Sequence, residues 1–257
     1  MIPKKIHLIW LSGEEYPKEV ADCIGGWRQL LPDYELCHWG MAEAEKVDST
    51  FLHEAIGARK WAFAADFLRL YAVYNQGGIY LDSDVKVLKG FDPLLYGKAF
   101  VGRENSVHID GGLTECYLGA HCFGAEAGNA FVGRCLDYYS KRHFMTSEDE
   151  SLPSELRYDM KILPYIMSEI AKEFGYDSSA LADREQDCSA VRIYKSACFD
   201  PQKVSGESYC RHLALGSWRD KVRYEPEYTL RYKLEWRLVA LMEKLLKKMG
   251  YITVKLR

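Results

Sequence analysis

The sequence predicts an α/β domain on a mixed, mainly parallel central sheet. Three observations carry that expectation. Short apolar runs alternate with longer segments of helical periodicity. The clearest helical segment, Ala62–Gln76, stops at Gly77-Gly78 and leads directly into a strand-like run, Ile79–Val85. That run carries two carboxylates, Asp82 and Asp84, and in such sheets ligands bind beyond the carboxyl ends of the strands.

The elements follow in order. Lys5–Leu11 (KIHLIWL) reads as a buried first strand. Pro17–Leu31 reads as a helix with proline near its first turn and Pro32-Asp33 beyond its end. Tyr34–Trp39 is a second strand, and Thr50–Gly57 a short helix. Ala62–Gln76 has no internal Gly or Pro, and Phe63, Phe67, Leu70 and Tyr74 recur three and four apart. Ile79–Val85 follows as a strand, then strands at Phe100–Arg103 and Tyr117–Phe123. Asn129–Lys141 and Met160–Phe174 read as helices, Pro164 marking a kink or a start in the second. Ala190–Tyr194 is expected as the last strand. Residues 1–226 form one expected domain and 227–257 a separate tail.

Composition narrows the class. The 257 residues, 48% hydrophobic and 28% charged, suit an ordinary globular domain. A net charge of −3 argues against nucleic-acid binding through a global positive field. The opening residues show no secretory-signal pattern, and no stretch is apolar enough to span a bilayer. Eight cysteines lie scattered in apolar runs without a C-x-x-C, so they are expected as reduced, mostly buried thiols of a cytoplasmic protein.

The chemistry concentrates at residues 66–84. On a strand, residues i and i+2 share a face, so Asp82 and Asp84 would aim at one point if the strand reaches that far. Paired carboxylates suit a hard divalent cation, Mn²⁺ or Mg²⁺, ready to hold a diphosphate. Asp-x-Asp alone also occurs in solvated turns. Asp66 and Arg69 share one helix face. They are either a surface ion pair or part of the pocket above the carboxylates. His7 and His38 read as core or rim histidines.

The tail has another character. Leu230, Leu234, Leu238, Leu241, Met242, Leu245, Leu246 and Met249 fill one side of a helical wheel, with Lys233, Arg237, Lys244, Lys247 and Lys248 clustered on the flanking side and Arg231 the exception. Residues 228–257 carry eight Lys/Arg against two Glu. This amphipathic C-terminal helix either packs on its own domain or lies on an anionic membrane surface through residues 230–249.

Phe63-Ala64-Ala65-Asp66-Phe67-Leu68-Arg69, then Leu70-Tyr71, Tyr74 and Gly77-Gly78-Ile79-Tyr80-Leu81-Asp82-Ser83-Asp84, resembles the DXD glycosyltransferases of GT-A (Rossmann-like) fold. The similarity is to the family 32 group of capsular-polysaccharide sugar transferases, initiating mannosyltransferases and α-1,4-galactosyltransferases, whose core the glucosylating clostridial toxins share. Ile2–Trp10 matches the opening strand, and His212 with Gly216-Ser217-Trp218 the closing segment.

The resemblance implies roles. Trp10 would stack on the nucleotide base, Asp66 and Arg69 would hold the donor sugar and its phosphate, and Asp82 would touch ribose, sugar and metal. Asp84 would be the direct metal ligand and His212 a third, while Ser217 and Trp218 would contact the leaving diphosphate. An indole face suits a base, and a neutral imidazole suits Mn²⁺. Core packing is the alternative for Trp10, and His212 read alone is a structural histidine that only its place before Gly216-Ser217-Trp218 marks as a ligand. Leu213-Ala214-Leu215 departs from relatives that carry a second His. Glu104, Asp110, Glu115 and His121 are candidate acceptor-reading groups.

The implied activity is metal-dependent, retaining transfer of Gal, Glc or GlcNAc from a UDP-sugar to a glycan or lipid-linked oligosaccharide. The implied setting is polysaccharide or capsule biosynthesis at the inner face of the cell membrane. A non-catalytic nucleotide-sugar- or glycan-binding module and a toxin-like protein glycosyltransferase are the alternatives.

Overall fold

The computed structural model describes residues 1–110 and 113–216. Its strands and helices follow in chain order. They are β1 (Lys5–Ile9), α1 (Lys18–Leu30), β2 (Glu35–Trp39), α2 (Met41–Ala44), α3 (Thr50–Gly57), α4 (Trp61–Gln76), β3 (Gly78–Leu81) and β4 (Val85–Val87). Then come β5 (Ala99–Asp110), β6 (Leu113–Ala125), α5 (Ala130–Asp137), α6 (Ser154–Arg157), α7 (Leu163–Glu173), β7 (Gln186–Asp187), β8 (Arg192–Tyr194), α8 (Ser196–Phe199) and β9 (Cys210–His212).

Among the described residues, the main sheet has the order β2-β1-β3-β6-β5-β8-β7. β1 lies parallel to β2 and β3, and β5 parallel to β8. β6 runs against β3 and β5, and β7 against β8. All strands but β6 and β7 therefore point one way, so the expected mixed, mainly parallel sheet is present. A second, two-stranded sheet joins β4 to β9.

The sheet has a core on each face. On one side α3, α4, α5 and α7 bury Phe51, Phe67, Leu68, Phe131 and Met167 against Ile9, Tyr80 and Phe123. On the other, α1 buries Val20, Cys23, Ile24 and Trp27, at the three-and-four spacing of one helix face. Full burial of one such apolar side chain contributes about 1.5–3 kcal/mol. Trp27 also donates from Nε1 to Val85 O at 2.7 Å, which ties α1 to the small sheet. β1 alternates between the cores, Ile6 and Leu8 facing α1 and Ile9 facing α4.

α4 ends where Gly77 adopts φ 63°, ψ −179°, a conformation reserved for glycine. The chain turns there into β3. His7 is wholly buried beside it. Its Nε2–H donates to Gly77 O at 2.7 Å, and its Nδ1 accepts from Trp39 Nε1 at 3.1 Å. His7 is thus a core histidine, whereas His38 is exposed.

Several expectations need correction. The strand expected over Ile79–Val85 is two strands in two sheets, broken by a turn at Asp82–Asp84. Val85 N–H donates to Asp82 O at 2.9 Å and closes that turn. The strands expected at 100–103 and 117–123 are parts of one long hairpin, β5–β6, with irregular register after Val101 and Arg103. Pro164 starts α7 rather than kinking it. Ala190–Tyr194 is not the last strand, because β9 follows and carries His212. All eight cysteines are free, six buried and Cys37 and Cys188 half-buried. The tail at 227–257 with its expected helix, and Ser217 and Trp218, lie outside the described residues. No described helix is long and apolar enough to cross a membrane.

Candidate metal centre

The turn after β3 brings the two aspartates together. Strand alternation does not do it, because the strand ends at Leu81. Asp82 N–H donates to His121 O at 2.9 Å, which anchors the turn to β6. The β4–β9 pairing sets Val85 opposite His212. His212 thereby returns to the aspartates from 128 residues downstream of Asp84. Its Nε2 lies 3.1 Å from Asp84 Oδ1 and 3.8 Å from Asp82 Oδ2.

Asp84 is held from two more directions. Its Oδ2 accepts Leu215 N–H at 2.9 Å, and its carbonyl accepts Leu213 N–H at 3.1 Å. Leu213 and Leu215, where the chain departs from the expected second histidine, thus serve through their backbones. Burial opposes charge on Asp84, but the His212 hydrogen bond and charge and the Leu215 N–H outweigh it and lower its pKa. Burial likewise opposes charge on His212, yet the Asp84 hydrogen bond and the Asp82 and Asp84 charges raise its pKa.

Asp82 faces two ways. Its Oδ1 accepts the Tyr80 hydroxyl at 2.5 Å and forms an ion pair with Arg69 Nη1 at 3.1 Å. Its Oδ2 is the oxygen toward His212. Arg69 lies 4.5 Å above the Tyr80 ring and reaches Asp66 Oδ1 through Nη2 at 3.0 Å. Arg69 Nη1 also donates to Ala120 O at 3.0 Å, and Nε to Ala65 O at 3.2 Å. Two of its five N–H groups thus hydrogen-bond backbone carbonyls, while the guanidinium pairs ionically with both acids. The Arg69 side chain is 8% exposed and that of Asp66 13%, so the two are a largely buried pair and not a surface one. Burial pushes the Asp66 carboxyl up to about 6, opposed by Arg69 and aided by Asp82.

The other expected residues are placed as follows. Trp10 follows β1, beside β3 on the same edge of the sheet as Asp82. Its Nε1 donates to Glu14 O at 2.7 Å and its ring meets Tyr16 edge-on at 5.0 Å. With Met41 and His38 it lines a groove of about 460 Å³. Glu115 is buried against Lys172 Nζ at 2.6 Å, and Glu104 bonds His108 at 2.8 Å. The Asp110 side chain lies outside the described residues. His121 lies against His212, their rings 4.8 Å apart and 12° from parallel.

Sequence reasoning missed Tyr80 as a partner of Asp82. Its position two residues before an aspartate, on one strand face, was the available signal. It also placed His121 among acceptor-reading groups, where nothing in local spacing points to a residue 91 positions downstream.

The donor set fits a divalent ion. One ligand atom each from Asp82, Asp84 and His212 lies within 4.8 Å of the others. Octahedral Mg²⁺ or Mn²⁺ with bonds near 2.1 Å places neighbouring donors about 3 Å and opposite donors about 4.2 Å apart. Two carboxylates and an imidazole, with further positions open, suit Mn²⁺ or Mg²⁺.

The chain matches known proteins in part. Residues 17–101 match the glycosyltransferase sugar-binding region containing a DXD motif. The chain is 36% identical over 109 residues to inositol phosphoceramide mannosyltransferase 3 of Schizosaccharomyces pombe, covering 40% of this chain and 30% of that protein. It is 50% identical over 48 residues to glucan organizing enzyme 1 of Cryptococcus neoformans, covering 19% and 13%. The chain thus spans under a third of the length of these curated relatives. Among solved structures, the PaToxG glycosyltransferase aligns with a TM-score of 0.47 and 18% identity over 67% of this chain and 69% of its own, below the level at which a shared fold can be read. Residues 17–101 are therefore similar to a glycosyltransferase sugar-binding region, and Asp82-Ser83-Asp84 is an Asp-x-Asp within the matched span.

Proposed function

We propose that this chain is a metal-dependent glycosyltransferase that moves a hexose from a nucleotide-diphosphate sugar, with retention, to a glycan or lipid-linked acceptor in surface-polysaccharide synthesis. The observation that carries the reading is the convergence of Asp82, Asp84 and His212 within 4.8 Å, beside the buried Asp66–Arg69 pair.

Asp84, His212 and the free Oδ2 of Asp82 would hold Mn²⁺ or Mg²⁺, which neutralises charge developing on the departing diphosphate. Arg69 fixes Asp66 and Asp82 in place through its ion pairs with both. The Trp10 groove would take the base by stacking. Ser217 and Trp218 are assigned to the leaving diphosphate. In a front-face transfer, the sugar–phosphate C–O bond breaks as the acceptor oxygen bonds the anomeric carbon. The acceptor proton passes to the released phosphate oxygen, so no enzyme nucleophile is required.

A UDP-linked Gal, Glc or GlcNAc donor is the first choice. GDP-mannose belongs in the test because a relative matched over 40% of the chain is named a mannosyltransferase. The assay is release of UDP or GDP from UDP-Gal, UDP-Glc, UDP-GlcNAc and GDP-mannose with Mn²⁺. One donor should be consumed, and Asp84→Ala should abolish release. Near-normal release by that variant would remove the metal-site reading. Nucleotide binding without release or transfer from any donor would favour a binding module.

Cytoplasmic placement, peripheral on the inner membrane face, is proposed from the basic pattern at 230–249. Deletion of residues 229–257 should weaken sedimentation with anionic vesicles. Unchanged sedimentation would end that part.

A further inference from the structure

We propose that His121 is a positioning residue for the metal centre, forming the wall against which the His212 ring is held with Nε2 toward Asp82 and Asp84. The proposal rests on the reading of Asp82, Asp84 and His212 as metal ligands. His121 lies on β6, is 7% exposed and lies outside that ligand set.

A hydrogen bond and a ring stack fix its ring, and the absence of a Cβ at Gly119 leaves it space. His121 Nε2–H donates to Phe199 O at 3.0 Å, which holds one edge. Gly119 lies close behind, and a Cβ there would come 2.8 Å from His121 Cε1 and 3.1 Å from Nδ1. The flat face is stacked on His212 at 4.8 Å and 12°. The hydrogen bond and the stack hold the imidazole in this orientation.

His212 depends on that wall. It is the last residue of β9, which among the described residues pairs with β4 alone. Its backbone fixes where the ring begins, and the ring direction needs a side-chain partner. The hydrogen bond to Asp84 supplies one while the ring carries a proton on Nε2. A metal ion takes the lone pair of that same nitrogen, so this bond is lost on loading. The stack on His121 survives loading. His121 also accepts Asp82 N–H at its carbonyl, so one residue sets the position of two ligands. Outer partners that orient metal ligands typically change affinity by about 10–100-fold when removed.

The test uses the full chain, Mn²⁺ alone and no nucleotide. Mn²⁺ affinity is measured by EPR titration, and nitrogen coupling to bound Mn²⁺ by pulsed EPR. His121→Gln retains an amide N–H for Phe199 O and removes the ring. Gly119→Ala retains the ring and pushes it from behind. Each should weaken Mn²⁺ binding about 10–100-fold and diminish the imidazole nitrogen coupling. In a His212→Ala background, His121→Gln should change affinity less than about twofold, because its effect runs through His212. Wild-type affinity and coupling in both single variants would overturn the proposal. So would an equal loss with and without His212, the mark of a general structural role. Wild-type protein that binds no Mn²⁺ would overturn the metal-centre reading itself.

Discussion

The Tyr80 hydroxyl donates to Asp82 Oδ1 over 2.5 Å, and the same oxygen is ion-paired with Arg69 Nη1. One carboxylate oxygen is thereby committed to the protein, and the other is left toward His212. Tyr80→Phe removes a hydrogen bond to the carboxylate and keeps the ring under Arg69. Mn²⁺ affinity should fall about tenfold with little change in the far-UV spectrum. Calorimetric titration gives the number, and an unaltered Kd would show that Arg69 alone orients Asp82.

Among the described residues, Arg69 is the one cation paired with both Asp66 and Asp82. Arg69→Ala leaves two poorly solvated carboxylates facing each other and should cost about 3–5 kcal/mol in urea unfolding. Arg69→Lys should recover only part of it, since an ammonium lacks the planar fork that meets both acids. Full recovery by lysine would mean that charge alone matters there.

His7 makes stability depend on pH. Burial foremost, with Lys5 adding, holds its pKa below the ordinary histidine value, against the opposing Gly77 carbonyl and Glu35. The unfolded chain therefore takes the proton first. The contribution of neutral His7 is complete above about pH 6.5 and is lost as pH falls through the depressed folded value. A second proton would also set Nδ1–H against Trp39 Nε1–H. The urea midpoint of the wild type should drop more between about pH 7 and 5 than that of His7→Gln. Equal slopes would refute this.

Gly77→Ala tests the joint between α4 and β3. A Cβ would lie 2.8 Å from Pro3 Cδ and 2.9 Å from Ala127 N, on backbone at φ 63°. The strain should cost about 1–3 kcal/mol. Tm should fall by about 2–4 °C for each kcal/mol lost. An unchanged Tm would mean that the α4–β3 joint can relax.

Much of the site could be read along the chain because its parts are close in sequence. Asp66 and Arg69 lie one helical turn apart, and a helix repeats its faces every three or four residues. Gly77-Gly78 marks the end of that helix through backbone freedom alone. Asp82 and Asp84 were found for a partly wrong reason. Alternation places i and i+2 together only while the ladder continues, and here a turn replaces it.

By itself the sequence determined the alternating α/β order, the helix that presents Asp66 and Arg69, and the acidic pair that follows it. Each of these depends on periodicity or on the local limits of glycine and proline. Only the tertiary structure decided that Tyr80 and Arg69 share one oxygen of Asp82, that β9 returns His212 to Asp84, and that His121 backs it. Those contacts join β3, α4, β6 and β9 through strand pairing across long stretches of chain. Pairing partners are chosen by burial on both faces of the sheet, which no local spacing encodes.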